Sequence, residues 1–336
     1  MRVQLDAIPG AAMHRIDSDV PNVSDANGGV HRYGIRTFEL SGRDVSMKCV
    51  SRRSFLAQTF VVSGSMVAAA TAVAQQPAGE PAVRIARNET LATNPSSHPL
   101  DPALQIARQS LTHIRDSVTD YTAIMIKRER IGSTLGEHEF MFTKIRNRKI
   151  QDGQLKAPFS VYLSFLKPAS VKGREVIFVE NRNSGNMVAH EGGFKGRFLP
   201  TVDLDPKGML AMSGQRYPIT EMGIENLVVK LIEKGERDRQ HGECNVQFSK
   251  GAKVGGRACT VLTVSHPVAR AYFDFHIAQI FIDDELNIPV RYAAYTWPTT
   301  EGGEAELIEE YTYQDVKLNV GLVDADFDRK NSAYNF

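Results

Sequence analysis

The chain of 336 residues has little cysteine, one tryptophan and almost no net charge. Three cysteines are too few for the disulfide framework of a small secreted domain. The 40 Lys and Arg residues are balanced by 39 Asp and Glu residues without a basic patch, which argues against a nucleic-acid partner. No apolar run reaches the roughly 20 residues that a stable membrane-spanning helix needs. A globular domain of ordinary composition is therefore expected.

The strongest positive feature is the segment 47–74. Arg52 and Arg53 precede a moderately apolar run of about fifteen residues, which ends on Ala72-Val73-Ala74. Paired arginines, a short apolar core and small residues at this spacing are typical of a twin-arginine signal peptide. No cysteine stands directly after the run, so lipid attachment is not expected. The segment predicts export of a folded protein by the twin-arginine translocase, to the periplasm or the exterior.

Export signals normally stand at the N-terminus, but residues 1–46 precede this one. Met47 lies just before the arginine pair, and we hypothesise that translation begins there. Residues 1–46 would then be a wrongly assigned or disordered extension. Residues 75–99 are rich in Pro, Ala, Ser and Asn and are predicted to form a linker. This leaves residues 100–336 as the folded domain, long enough for a substantial core.

The hydrophobic pattern of residues 100–336 predicts an α+β domain. Apolar residues recur at helical spacing over 101–118 and 224–234, and residues 196–223 form a long irregular segment. Short connections between neighbouring strands favour an antiparallel sheet, and ten strands in one sheet should curl strongly. We therefore expect a strongly curved antiparallel β-sheet with helices packed on its concave face. The predicted strands are 121–130, 137–148, 159–167, 174–180, 186–190, 243–249, 258–265, 272–283, 289–297 and 307–318.

Several stretches of this domain carry a resemblance. The strand, turn and strand over 280–291 look like the LolA-like fold, a half-barrel with a helical lid that holds a lipid group. More closely, the chain resembles an exported bacterial family catalogued as domain of unknown function 1571, over roughly residues 100–336. That family has no established activity, so the resemblance implies fold and compartment but no function. The stretches that carry it are Lys172-Gly173-Arg174-Glu175-Val176, Arg216-Tyr217-Pro218-Ile219-Thr220-Glu221, Ser265-His266-Pro267, Tyr311-Thr312-Tyr313 and Leu318-Asn319-Val320-Gly321-Leu322.

An apolar pocket between the sheet and its helices is the first candidate site. Strand alternation places aromatic and aliphatic side chains of 159–165 on one face, and those of 273–281 likewise. Methionines in the irregular segment would add an adaptable apolar surface. The alternative is an ordinary filled core. The expected lining is Phe159, Val161, Leu163, Phe165, Met209, Met212, Phe273, Phe275, Ile277 and Phe281.

Two cysteines of the mature chain flank a predicted hairpin. A turn near Gly251 would bring Cys244 and Cys259 opposite each other. The two would either form a disulfide in an oxidising compartment or remain two buried thiols.

Metal and catalytic motifs are incomplete. Asp324, Asp326 and Asp328 alternate like the start of a calcium loop, but the required glycine and distal glutamate are missing, so a turn is expected. No G-x-S-x-G motif occurs. Neighbouring carboxylates such as Glu309 and Glu310 would point to opposite faces of a strand and could not act as a pair. No catalytic residue, metal or cofactor is predicted.

The sequence therefore favours a non-catalytic exported protein that binds a hydrophobic group, such as a lipid or an acylated protein, in envelope transport or assembly. Two alternatives stay open. One is an envelope scaffold with a filled core, and the other is a cofactor-carrying enzyme, since folded export often serves cofactor-loaded proteins.

Overall fold

The computed structural model describes residues 83–84, 88–89, 98–300 and 302–336. The predicted extension 1–46, the signal peptide 47–74 with Arg52 and Arg53, and most of the predicted linker lie outside the described residues. No helix in the described part is both long and apolar enough to cross a membrane.

Four α-helices and sixteen strands make up the described part. The helices are α1 (Asp101–Ser117), α2 (Gly193–Gly196), α3 (Met209–Met212) and α4 (Ile224–Asp238). The strands are β1 (Val83–Arg84), β2 (Asn88–Glu89), β3 (Asp120–Ile131), β4 (Thr134–Leu135), β5 (Glu139–Arg146), β6 (Lys149–Gln151), β7 (Gln154–Ala157), β8 (Ser160–Lys167), β9 (Glu175–Val179), β10 (Met187–His190), β11 (Val202–Leu204), β12 (Asn245–Val254), β13 (Arg257–Ser265), β14 (Ile277–Asp283), β15 (Pro289–Tyr295) and β16 (Leu307–Leu318).

Fourteen of these strands form one open, curved antiparallel sheet, as predicted from the short connections. Its order is β1-β12-β13-β14-β15-β16-β3-β5-β8-β9-β10-β11, with β2 beside β12 and β4 beside β3. The first and last strands of this order do not pair, so the sheet is a half-barrel. The pairing of β3 with β16 joins the early strands to the late ones at the middle of the sheet.

Helices α1 and α4 pack against each other and cover one face of this sheet. Leu104 of α1 lies in a buried cluster with Leu262 and Ile280 of the late strands. Ile114 of α1 and Val228 of α4 lie in a second cluster with the early strands. The opposite face of β8 and β9 is covered by the C-terminal residues, where Tyr162 stacks on Tyr334 at 4.0 Å.

The start of α4 depends on a glycine and a buried tyrosine. Gly223 has φ of 104°, a conformation that favours glycine, and a Cβ there would lie 3.2 Å from the Tyr121 hydroxyl. That hydroxyl accepts a hydrogen bond from the backbone N–H of Ile224 at 2.8 Å. It thereby satisfies one of the helix's unpaired N-terminal donors.

The predicted end of this helix at Lys234-Gly235 is wrong, because α4 continues to Asp238. Gly235 does not end the helix but allows close contact with α1: a Cβ there would lie 2.8 Å from Leu104 Cδ2. A glycine near a helix C-terminus usually ends the helix, but here it allows two helices to pack closely.

Three other expectations differ from the structure. The predicted linker contains β1 and β2, which pair with β12. The strand predicted from residue 272 begins at Ile277 instead. The irregular segment 196–223 contains the short elements β11 and α3, whose three or four residues carry too little periodicity to be recognised.

Candidate ligand-binding cavity

A cavity of about 470 Å³ lies beneath residues 196–223, which we call the lid. Strands β5, β8, β9 and β10 form its floor. A volume of several hundred Å³ with mostly apolar walls is typical of small-molecule pockets. Its apolar lining includes Met141, Leu163, Phe165, Val176, Met187, Ala189, Leu199, Leu204, Leu210, Ile219 and Met222.

The first half of the lid exposes large apolar side chains. Met209 is 89% exposed and Phe198 is 72% exposed, and Phe194 just before the lid contacts Phe198 with 5.0 Å between ring centroids. Leu199 and Leu210 are also exposed, yet both line the cavity, so this cluster lies at its mouth. Large exposed apolar side chains around the mouth of a cavity are a feature of interaction and ligand-binding surfaces.

The second half of the lid is bound to the sheet. Arg216 Nε donates to Glu309 Oε2 at 2.8 Å, and its backbone N–H donates to Glu129 Oε2 at 3.2 Å. The Tyr217 hydroxyl donates to Glu309 Oε1 at 3.2 Å. The first half of the lid is also bound to the sheet, because β11 pairs with β10, and the exposed side chains of α3 lie between these two attachments.

The anchoring carboxylates form a buried cross-strand pair. The register of β3 and β16 places Glu129 directly opposite Glu309, and both side chains are almost fully buried. Like charges in this position destabilise a sheet, and buried carboxylates require partners. Lys127 Nζ lies 3.4 Å from Glu129 Oε2 and also donates to Gln215, while the Tyr311 hydroxyl donates to Glu129. The pair is thus held by hydrogen bonds and by nearby cations.

A smaller cavity of about 100 Å³ adjoins the first one. The two share the wall formed by Lys127, Gln215, Tyr217 and Met222, and the buried glutamate pair also lines the smaller one. Four tyrosines surround this smaller cavity: Tyr217, Tyr292, Tyr311 and Tyr313.

The tyrosine hydroxyls of this smaller cavity keep their protons at neutral pH. Burial, followed by the charge of Glu309, raises the pKa of Tyr217, Tyr292 and Tyr311 above the ordinary value. Tyr217 and Tyr311 donate hydrogen bonds to the glutamate pair. Tyr292 is only 3% exposed, yet its hydroxyl has no hydrogen-bond partner among the described residues.

The cavity-lining residues predicted on the first strand fall into two groups. Leu163 and Phe165 line the larger cavity. Val161 is fully buried in the same core cluster without lining the cavity, and Phe159 is half-buried against that cluster.

The residues predicted on the later strand do not form a single face. Ile280 lies in the buried cluster with Leu104 of α1, whereas its neighbour Phe281 lies in the cluster that contains Leu163 and Phe165, and Arg291 is 5.7 Å from its ring. Ile277 has the same strand parity as Phe281 and does not line the cavity. Phe275 lines a separate cavity of about 70 Å³ between the helices and the sheet.

Phe273 and the two lid methionines also lie apart from the floor of the cavity. Phe273 precedes β14 and stacks on His266 with 3.8 Å between centroids. Met209 projects from α3 into solvent at the mouth, and Met212 is half-buried at the end of α3.

The disulfide between Cys244 and Cys259 is absent, because the hairpin differs from the expected one. Both cysteines are free and buried. The turn lies at Gly255-Gly256, and Gly251 sits at a bulge, so the strand register pairs Cys259 with Ala252. Burial raises the pKa of both thiols to about 11.

The alternating aspartates near the C-terminus are bound by basic side chains. Asp324 and Asp326 lie in a short 3₁₀ turn, where Asp324 pairs with Arg146 at 2.8 Å and Asp326 with Lys144 at 2.7 Å. No group of three metal-binding side chains is present in the described ranges.

Sequence reasoning correctly separated Glu309 from Glu310 but missed the cluster around Glu309. Glu310 faces the other side of the sheet, where it contacts His138 at 2.6 Å and Arg291 at 2.5 Å. The missed signal was the presence of Lys127 and Glu129 on the inward face of β3, where the preceding inward residues belong to the buried hydrophobic cluster. No short motif links residues that lie about 90 and 180 positions apart, as Glu129, Arg216 and Glu309 do.

A family model described as "Protein of unknown function (DUF1571)" matches residues 118–336. No sequence match was found among curated proteins.

Solved structures with similar chain traces have low identity. A DUF1329 family protein from Desulfovibrio piger is 11% identical, with a TM-score of 0.34 over 69% of this chain and 98% of that chain. The lipoprotein LppX from Mycobacterium tuberculosis is 14% identical, with a TM-score of 0.34 over 68% and 100%. A LolA superfamily protein from Nitrosomonas europaea is 10% identical, with a TM-score of 0.28 over 67% and 97%. The strand order and the helix positions of this chain define its fold.

Proposed function

We propose that this chain, which belongs to the DUF1571 family of proteins of unknown function, is an exported, non-catalytic protein that binds a hydrophobic group. The bound group would be a lipid chain or the acyl chain of an acylated protein. The observation that carries this proposal is the mostly apolar cavity of about 470 Å³ beneath the lid.

Burial of an acyl chain would supply the affinity. Each methylene removed from water contributes about 0.8 kcal/mol, so ten methylenes contribute roughly 8 kcal/mol before the costs of association. The apolar side chains at the mouth, such as Phe198 and Leu210, would contact the chain as it enters.

The lid would open at α3, between its two attachments to the sheet. Arg216 and Tyr217 fix the end near α4 and the pairing of β11 with β10 fixes the first half, whereas residues of α3 have exposed side chains. An entering chain would displace the α3 side of the lid without breaking the contacts to Glu309.

Native mass spectrometry with organic extraction tests this proposal. The protein would be purified from the envelope of cells that express the full chain. A fatty-acyl species at near one-to-one stoichiometry is expected. A bare protein mass without extractable lipid would contradict the proposal and favour a scaffold with a filled core.

A cavity-filling variant tests the position of the bound group. Ala189 of β10 lines the cavity, so Ala189→Phe should reduce the co-purified lipid several-fold. Ala258→Phe places the same ring on an exposed position of β13 and is the matched control. Equal lipid content in the two variants would place the lipid outside this cavity.

We also propose that the chain is exported by the twin-arginine route, on the basis of residues 47–74. Arg52→Lys together with Arg53→Lys keeps the charge but removes the paired arginines, and should leave the precursor in the cytoplasm. Cell fractionation followed by immunoblotting measures the share of the precursor that stays in the cytoplasm. Undiminished export of the double variant would point to another route.

A further inference from the structure

Large exposed apolar side chains are concentrated at the mouth of the cavity beneath the lid. Six of the fourteen such side chains in the described part of the chain lie between residues 194 and 210. The exposure of the four most exposed ranges from 72% at Phe198 to 89% at Met209. Apolar surface in water is unfavourable, so a group of this size is typical of an interaction surface. We call the six side chains the mouth patch: Phe194, Phe198, Leu199, Val202, Met209 and Leu210.

Two carboxylates beside the mouth patch are matched by basic side chains from other segments. Glu191 pairs with Arg174 at 2.8 Å, and Asp203 pairs with Arg329 at 3.7 Å. These two carboxylates therefore leave no unmatched negative charge at the mouth. The charge that a partner would meet there depends on the remaining charged side chains.

Three basic side chains beside the mouth patch form no salt bridge among the described residues. Arg197 and Lys207 belong to the lid itself and are exposed. Lys172 is also exposed, and its backbone packs against the residues just before the patch, because a Cβ at Gly192 would lie 2.4 Å from the Lys172 carbonyl oxygen. Asp205 is the one lid carboxylate without a salt bridge in the described part of the chain. The surroundings of the patch therefore carry an excess of positive charge.

We infer that the mouth patch docks onto an anionic lipid bilayer. The apolar side chains enter the acyl region, and Arg197, Lys207 and Lys172 contact the phosphate groups. Apolar burial and attraction to anionic lipids together are what hold a protein at a membrane surface. A second copy of this chain is a poorer occupant, because the unmatched cations of the two copies would repel each other.

Docking of this kind would place the mouth of the cavity against the bilayer. An acyl chain would then enter the cavity directly from the membrane, without passing through water. That last step rests on the proposed function, whereas the docking itself depends only on the mouth patch and the basic side chains around it.

Co-sedimentation of the purified protein with vesicles tests the inference. Vesicles of phosphatidylcholine with about 30% phosphatidylglycerol supply the anionic surface, and vesicles of pure phosphatidylcholine supply the neutral one. Binding to the anionic vesicles should be about tenfold stronger than to the neutral ones. Sodium chloride at about 0.5 M should reduce this difference by screening. Absence of binding to the anionic vesicles, or equal binding to both kinds, would overturn the inference.

A double variant tests the apolar side chains. Phe194→Ser with Phe198→Ser removes two exposed rings that contact each other, so the protein should fold, but binding to the anionic vesicles should fall about tenfold or more. Ile150→Ser with Leu155→Ser is the matched control, since these exposed residues are cross-strand partners on the β6–β7 hairpin. The control should bind like the unchanged protein. Equal losses in the two double variants would contradict docking through the mouth patch.

A second double variant tests the charge. Arg197→Gln with Lys207→Gln should weaken binding to the anionic vesicles about tenfold and leave the weak binding to neutral vesicles unchanged. Lys149→Gln with Lys156→Gln removes two exposed basic side chains from the β6–β7 hairpin and should have no effect. An unchanged affinity of the lid variant for anionic vesicles would refute the role given to its basic side chains.

The outcomes separate docking from the proposed function. Vesicle binding by a protein that carries no extractable lipid would support docking and contradict the acyl-binding cavity, and co-purified lipid without vesicle binding would do the reverse. Sedimentation equilibrium without vesicles tests the competing occupant, and a monomer is expected. A dimer that Phe194→Ser with Phe198→Ser dissociates would show that a second copy covers the mouth patch, and would overturn docking onto a bilayer.

Discussion

At the scale of single residues, polar groups in the core of this protein connect elements that are distant in sequence. The Tyr121 hydroxyl in β3 accepts the first N–H of α4, about one hundred residues later. Burial raises the pKa of Tyr121 well above its ordinary value, so the hydroxyl is neutral throughout the physiological range. A single oxygen atom thus fixes where the helix begins relative to the sheet.

Removal of this hydroxyl should destabilise the protein. Tyr121→Phe leaves the Ile224 N–H buried without a partner, and we expect a loss of about 1–3 kcal/mol in the free energy of unfolding. Urea unfolding followed by circular dichroism measures the loss. Tyr272→Phe is the control, because its exposed hydroxyl bonds to Glu243 at the surface and should contribute less than about 0.5 kcal/mol. Equal losses of stability in the two variants would mean that the hydrogen bond between Ile224 and Tyr121 contributes no more than a surface hydrogen bond.

The two buried cysteines should be unreactive in the folded protein. Burial raises both thiol pKa values to about 11, so at pH 8 the protonated form dominates and the reactive thiolate is scarce. Iodoacetamide at pH 8 should therefore label peptides that contain Cys244 or Cys259 only after unfolding in guanidinium chloride. Peptide mass spectrometry checks this. A cross-linked peptide, or rapid labelling of the native protein, would contradict the free and buried thiols seen here.

At the scale of elements, alternation and helical periodicity predicted most strands and both long helices, but not the details that tertiary packing decides. The end of α4 was misplaced because Gly235 packs against Leu104, a contact that no local pattern reveals. The cavity floor on β8 was found because alternation fixes the face of each residue. The glutamate pair was not found, because it depends on the register of β3 with β16.

The junction between the lid and α4 should tolerate no side chain at Gly223. Gly223→Ala combines an unfavourable φ of 104° with a Cβ that is 3.2 Å from the Tyr121 hydroxyl, and should cost about 1–3 kcal/mol of stability. Gly242→Ala is the matched control, since a Cβ there meets no atom within 4 Å. Thermal and urea unfolding compare the two variants. A Gly223→Ala protein as stable as the control would show that the junction can shift.

At the scale of the whole molecule, the central position of β16 makes folding of the domain depend on its C-terminal part. In the strand order of the described residues, the early strands from β3 to β11 and the late strands from β12 to β15 are joined through the pairs that β16 forms with β3 and β15. The sheet cannot be completed until this strand has been synthesised. Such long-range pairing is expected to fold slowly. A transport route that accepts folded proteins would suit a chain of this topology.

Folding and export should therefore be lost together when β16 is broken. Thr312 is fully buried at the centre of β16, between Ile126 and Arg291, and Thr312→Pro removes a backbone donor and disrupts the strand. If residues 47–74 act as the proposed twin-arginine signal, this variant should stay in the cytoplasm, because that route transports folded proteins. With a signal of the general secretory route, the same variant should still reach the periplasm unfolded. Ser332→Pro, at an exposed position near the C-terminus, should be exported normally with either signal. Export of unfolded Thr312→Pro behind residues 47–74 would contradict the proposed twin-arginine signal.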